Sequence, residues 1–137
     1  MKKVVKFGGS SLASAEQFRK AADIIHADKE RRYVVPSAPG KRFGEDTKVT
    51  DMLYNCYHLA EADKSYSKEL KEIEARYQEI IDGLGLSLSL KEEFQAIDRN
   101  FKEKAGENYA ASRGEYLNSI IMASFLGYEF IDAAQVI

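Results

Sequence analysis

The chain has 137 residues, of which 45% are hydrophobic and 31% charged, with a formal net charge of -2. That length suffices for one domain with a genuine core, and the charge balance excludes a nucleic-acid surface built from clustered Lys and Arg. A single cysteine, Cys56, excludes an internal disulfide and fits a reducing compartment, while the lack of any long apolar run makes a cytoplasmic protein with no membrane contact the expectation.

In chain order, residues 2–7 read as a strand with Val4, Val5 and Phe7 as core formers. Residues 8–13 read as a turn. Ser14-Ala15-Glu16-Gln17 has the form of a capping box, with Ser14 as N-cap and Gln17 reaching back. A helix follows to about residue 28, with Phe18, Ala21, Ala22 and Ile25 on one face. Residues 33–37 (YVVPS) form a second strand broken by Pro36, and a polar loop follows, holding Pro39, Gly40 and Gly44. Residues 47–61 read as a helix with Val49, Met52, Leu53 and Tyr57 inward.

From residue 64 to 82 the pattern is strongly helical. Leu70, Ile73, Tyr77, Ile80, Ile81 and Leu84 recur every three or four positions, and Lys, Glu and Arg fill the gaps. Gly83 and Gly85 stop it. Residues 90–104 form a further helix with Phe94, Ile97 and Phe101 inward. Residues 108–126 are apolar on most sides, which predicts a buried helix ended by Gly127. Residues 128–132 read as a third strand. The order strand, helix, strand, four helices, strand implies an α/β layered fold with a mainly parallel sheet. Residues 64–105 carry the most charge and read as a helical hairpin excursion. Three strands are few for such a sheet, so the chain is expected to be the front portion of a longer protein.

The stretch Lys6-Phe7-Gly8-Gly9-Ser10-Ser11 carries the chemistry. Two residues without side chains let the backbone approach a ligand and aim amide N–H groups at it. A lysine at the strand end supplies a mobile positive charge that follows a phosphoryl group as it moves. Ser10 and Ser11 add hydroxyls, and the helix from Ala15 adds a positive pole. On residue types alone, such a pair is more often only a turn. Both common nucleotide fingerprints are missing: Gly40-Lys41 lacks the earlier glycine of a P-loop and is followed by Arg42, and Gly83-Leu84-Gly85 ends a helix.

KFGGSS resembles the signature of the aspartate kinases of the amino-acid kinase superfamily. The family usually writes KFGGTS, so Ser10 replaces a threonine and keeps its hydroxyl. VVPSAPG followed by KVTDMLY, then SRGEYLNSIIMASFLGY and FIDAAQVI, resemble further stretches of that family in the same order. The resemblance covers the whole chain but only the front of the family's catalytic domain. It implies the N-terminal, aspartate-binding part of a three-layer αβα sandwich, with the nucleotide half and the C-terminal ACT regulatory domains outside these 137 residues. It also implies transfer of the ATP γ-phosphate, with Mg2+ bridging the phosphates, to the side-chain carboxylate of L-aspartate, giving 4-phospho-L-aspartate on the way to lysine, threonine and methionine. The full-length enzyme is expected to be a homo-oligomer.

A carboxylate is ionised at neutral pH, so the attack needs no general base. The obstacle is the meeting of two anions, which cations and backbone amides relieve. The resemblance assigns Lys6 to bridge the aspartate carboxylate and the transferred phosphoryl. It places Phe7, Gly8, Gly9 and Ser10 along the phosphates, gives Ser37 and Thr50 to the substrate carboxylates, and gives Glu115 to its amino group. From the residues alone, Glu115 stands in an apolar helix and needs pairing, either as a site carboxylate or as a buried Glu satisfied by Arg113 or Tyr116. Thr50 reads equally as a helix cap and Ser37 as a strand end. Lys41, Arg42 and Lys48 read either as charges facing ATP or, in preference, as solvated loop charge. His26 and His58 lack ligand neighbours, and Cys56 reads as a small core residue.

Another function class remains open, a non-catalytic module that docks a partner through the helical pair of residues 64–104. Within the superfamily, glutamate 5-kinase and uridylate kinase fit SRGEYLNS less well. The 137 residues alone are expected to be inactive, and an ATP-dependent acyl-phosphate assay on the isolated chain checks this by returning no turnover.

Overall fold

The computed structural model describes residues 1–132. Strand β1 (Lys3–Phe7) and strand β2 (Arg31–Pro36) pair in parallel, joined by helix α1 (Ala15–His26). The register sets Val5 against Val34, Lys6 against Val35 and Phe7 against Pro36. One face, with Val5, Phe7 and Val34, packs on the core. The other shows Val4, Lys6, Tyr33 and Val35 to solvent, the alternation that a half-buried strand requires. The last ladder pair is Phe7 with Pro36.

Between β1 and α1 the chain makes a short 3-10 turn, Gly9–Leu12. Ser14 then caps α1, its Oγ accepting from the Gln17 N–H at 3.4 Å, which is the forward half of the expected box. Four more helices follow β2: α2 (Val49–Glu61), α3 (Ser67–Gly83), α4 (Lys91–Lys102) and α5 (Glu107–Leu126). Their bounds fall close to those that the apolar periodicity predicts.

The core is helical. Phe18 of α1, Leu53 of α2, Ile73, Tyr77 and Ile80 of α3, Ile97 and Phe101 of α4 and Leu117 and Ile121 of α5 are all fully buried in one cluster. Burying one such side chain contributes roughly 1.5–3 kcal/mol. Helix α3 packs on α1, α2 and α5, and α4 packs on α2 and α5. The rings of Tyr77 and Phe94 meet at 6.0 Å between α3 and α4. The apolar faces of residues 64–104 are therefore taken up within the chain's own core, which leaves Lys and Glu outside. Cys56 is also buried, and burial pushes its thiol up to about 12. Among the described residues no helix is long and apolar enough to cross a membrane.

Two expectations need correction. Residues 128–132 form no strand, although their apolar alternation suggests one. A strand exists through its ladder, and the described sheet contains β1 and β2 alone. Phe130 instead rests on Tyr116, ring centroids 5.7 Å apart. The rest of the FIDAAQVI stretch, residues 133–137, lies outside the described residues. Helix α5 is also not buried all round. It buries a stripe of Ala110, Gly114, Leu117, Asn118, Ile121 and Met122, and Tyr116, Ser119 and Ala123 line an open cavity.

Gly114 fixes how closely α5 approaches the segment after β2. A Cβ there would lie 2.6 Å from the Ala38 Cβ and 3.4 Å from Leu53 Cδ1. Neither the helix nor the Ala38 backbone can move aside without disturbing its neighbours. Gly114→Ala is expected to destabilise the fold by about 1–3 kcal/mol, the usual range for overpacking, read as a lower urea midpoint at unchanged slope.

Candidate active site

The site begins where the two strands end. Past the last ladder pair, the Ser37 N–H donates to the Phe7 carbonyl at 3.0 Å and the Gly40 N–H donates to the Gly9 carbonyl at 2.8 Å. The two strand exits thus run side by side with backbone against backbone. A Cβ on Gly40 would stand 2.7 Å from the Gly9 carbonyl carbon and 2.9 Å from the Ser10 nitrogen. One on Gly9 would stand 3.0 Å from the Ala38 oxygen. Only glycine permits this approach. Lys6, Phe7, Gly8, Gly9, Ser10 and Ser37 come together at the carboxyl ends of parallel strands, where open α/β sheets bind their ligands. Lys6 faces solvent, and among the described residues its ammonium forms no ion pair.

Thr50 joins the same loop. The Val49 N–H donates to the Pro39 carbonyl at 3.1 Å, which ties the start of α2 to the segment that leaves β2. Lys48 is the N-cap, and no side chain caps this helix, so the Thr50 hydroxyl does not serve as the cap.

Glu115 departs from the expectation of a buried, paired carboxylate, because it is exposed. It follows Gly114 by one residue, and one step of about 100° around the helix carries it off the buried stripe. Arg113 does not pair with it. That guanidinium lies over the Tyr109 and Tyr116 rings, 4.8 and 4.3 Å from their centroids. Glu115 lines a cavity of about 830 Å3 together with Arg32, Val35, Pro36, Ser112 and Tyr116. Val35 is the ladder partner of Lys6, so the cavity borders the strand pair that carries the lysine.

Three residues that the sequence reading passed over hold this arrangement. Asn118 is buried, and its Nδ2 donates to the Ser37 carbonyl at 2.8 Å, so Ser37 is pinned on both sides of its main chain. The Asn118 Oδ1 has no partner among the described residues. Arg76 of α3 is only 5% exposed. Its Nη2 donates to the Gly40 carbonyl at 2.8 Å and its Nη1 to the Thr47 carbonyl at 2.9 Å, with the Asp46 carboxylate 3.6 Å away. Asp46 in turn takes two bonds from the Arg42 guanidinium, at 2.7 and 3.1 Å, and one from the Arg42 amide at 3.0 Å. Arg42 also reaches Glu79 at 3.2 Å. Arg42 is exposed, as are Lys41 and Lys48, and beyond the solvated loop charge the sequence suggests it is tied to Asp46 and Glu79. A signal for Arg76 does exist in the sequence: it stands three residues after Ile73 and directly before Tyr77, a charge on the buried stripe.

From residue 1 to residue 137 the chain matches the sequence profile of the amino acid kinase family. It belongs to that family. It is 38% identical to Aspartokinase 3 of Bacillus subtilis (strain 168) over 98% of this chain and 31% of that protein. The Clostridium acetobutylicum aspartate kinase superposes with a TM-score of 0.92 at 45% identity, over 97% of this chain and 31% of the other. The α/β arrangement is thus the one found in that aspartate kinase. E. coli aspartokinase III, solved in complex with aspartate and ADP, shares the fold at a TM-score of 0.72 and 22% identity, over 93% of this chain and 29% of that one. The chain spans about a third of the length of the B. subtilis and C. acetobutylicum relatives.

The hydrogen bonds from Arg42, opposed by burial, hold the Asp46 carboxyl well below its ordinary value of 3.8. A carboxyl depressed in the fold contributes its full stability above that value and loses it progressively as pH falls from there through the folded one, because the unfolded chain takes up the proton first. Asp46→Ala is expected to cost about 1.5–3 kcal/mol at pH 7, the range for charge-assisted hydrogen bonds. The gap between variant and parent narrows below pH 3.8, as acid protonates the parent's carboxylate; urea titrations across that window check the sign.

Proposed function

We propose that this chain is the aspartate- and phosphate-binding wall of an aspartate kinase, which moves the γ-phosphoryl of ATP onto the side-chain carboxylate of L-aspartate. The observation that carries this reading is Lys6 at the carboxyl end of β1, followed by a glycine pair whose second member, Gly9, is locked backbone to backbone against Gly40. Its support from relatives is similarity over nearly the whole chain to proteins named aspartokinase and aspartate kinase.

The chemistry then follows. A carboxylate oxygen of aspartate forms a bond to the γ-phosphorus while the bond to the ADP oxygen breaks, and the electron pair leaves on ADP. No proton moves, so no base is needed. Lys6 lies between the two anions and neutralises charge on the migrating group. Gly8, Gly9 and Ser10 offer main-chain N–H groups at the opening of a 3-10 turn, where amides have no partner within the turn. Phe7 takes part through its position only, since its side chain packs on the core and its carbonyl is held by Ser37. The Ser37 and Thr50 hydroxyls donate to the substrate carboxylates, and Glu115 meets the substrate ammonium.

Magnesium enters on this reading with its nucleotide, as Mg-ATP. Among the described residues no group of three or more His, Cys, Asp or Glu side chains is placed to hold a metal. On this reading the nucleotide's phosphates would carry the ion, and no step is assigned to it. Residues 1–137 serve as the N-terminal part of the kinase domain in a cytoplasmic homo-oligomer, and the adenine contacts and regulatory domains come from elsewhere in the full enzyme.

The test is a chimera in which these residues replace the matching 31% of the C. acetobutylicum enzyme. The chimera is expected to form acyl phosphate from aspartate and ATP. Lys6→Ala lowers kcat by about a thousand-fold at unchanged melting temperature, the scale for losing a main charge stabiliser. Glu115→Gln raises KM for aspartate and leaves KM for ATP alone. Turnover of glutamate in preference to aspartate, or full activity without Lys6, overturns the reading.

A further inference from the structure

We infer that Arg76, on helix α3, is a positioning residue that sets the loop between β2 and α2 (residues 37–48), the substrate loop, in register with the turn of residues 8–12 after β1, the phosphate loop. The inference rests on the kinase reading above for what the two loops do, but not for the geometry that joins them.

The joint is the peptide of Gly40. Its N–H donates to the Gly9 carbonyl at 2.8 Å, and its own carbonyl accepts from Arg76 Nη2 at 2.8 Å. Hydrogen bonds in such a chain polarise and strengthen one another. The other arm of the same guanidinium, Nη1, takes the Thr47 carbonyl at 2.9 Å, three residues before Thr50. One planar group thus holds the loop between β2 and α2 at two points, and through the Gly40–Gly9 bond it fixes that loop against the turn after β1; it projects from a helix that carries no candidate substrate contact of its own.

The fork is what selects arginine. Two carbonyls and a carboxylate lie around it in separate directions, which a fixed planar set of donors serves and a single ammonium cannot. Stability alone does not account for a guanidinium in this place. Taking a charge out of water is costly, and replacing a buried ionic group by an apolar one of similar volume is often neutral or stabilising. Nor is Arg76 required to neutralise Asp46, which already has a two-armed partner in Arg42. What Arg76 does alone is satisfy the Gly40 and Thr47 carbonyls.

Two measurements test this. In the 137-residue chain itself, hydrogen exchange of Arg76→Met is compared with the parent. The amides of Gly40 and Val49, which close the loop onto Gly9 and Pro39, are expected to exchange at least ten-fold faster, while those of α4 keep the parent rates. In the chimera, Arg76→Met is expected to raise KM for aspartate about ten-fold and to lower kcat as well, since small misplacements in a site cost one to two decades of rate. Arg76→Lys keeps the charge but is expected to restore neither readout. Exchange that is unchanged, or faster everywhere including α4, overturns the inference. So does a fall in kcat at parental KM, the mark of a smaller folded fraction, and so does full rescue by lysine. An inactive parent chimera sinks the kinase reading and leaves the exchange result to decide the role of Arg76.

Discussion

Two loops meet at Gly9 and Gly40 with no side chain between them, and the rest of the molecule is arranged to keep them there. A main-chain contact that close has no slack. It is stable because the groups behind it are fixed by the helical core: Ala38 lies on Gly114 of α5, Asn118 of α5 holds Ser37, and Arg76 of α3 holds Gly40. Tyr77, next to Arg76, donates its buried hydroxyl to the Gly114 carbonyl at 2.8 Å, so α3 and α5 are bonded to each other at the level where both reach the loops. The small sheet supplies direction, and the helices supply rigidity.

Two sets of charges around the loops differ. Arg42, Asp46, Arg76 and Glu79 form a closed network in which each sign meets its opposite. Lys6 and Glu115 form no ion pair among the described residues and face solvent or the cavity. Paired charges are spent on holding structure. On the proposed reading, the unpaired Lys6 and Glu115 are left for a ligand, which suits a reaction whose barrier is the approach of two anions.

Much of the architecture was legible because it is local. The 3.6-residue period located five helices, the serine before α1 located a cap, and the double glycine after β1 located the turn that matters. What escaped was non-local. The alternation in residues 128–132 promises a strand, but a ladder needs an edge in the right place, and no local pattern specifies one. Glu115 looked buried because its neighbours are apolar, yet a single helical step turned it outward. The ion pairs of exposed Arg42 escaped because its partners, Asp46 and Glu79, are visible only after the loop has closed on α3. Arg76 was legible in part as a charge on the buried stripe, but its two carbonyl partners are backbone atoms, which carry no residue-type signal.

The single thiol has a practical consequence. Cys56 lies at zero exposure in the middle of α2, and burial keeps its sulfur protonated at any ordinary pH. An alkylating reagent meets a reactive thiolate only when the interior opens. The rate at which one equivalent of label is taken up is then a clock for breathing of the whole interior, already installed at its centre and free of any competing site.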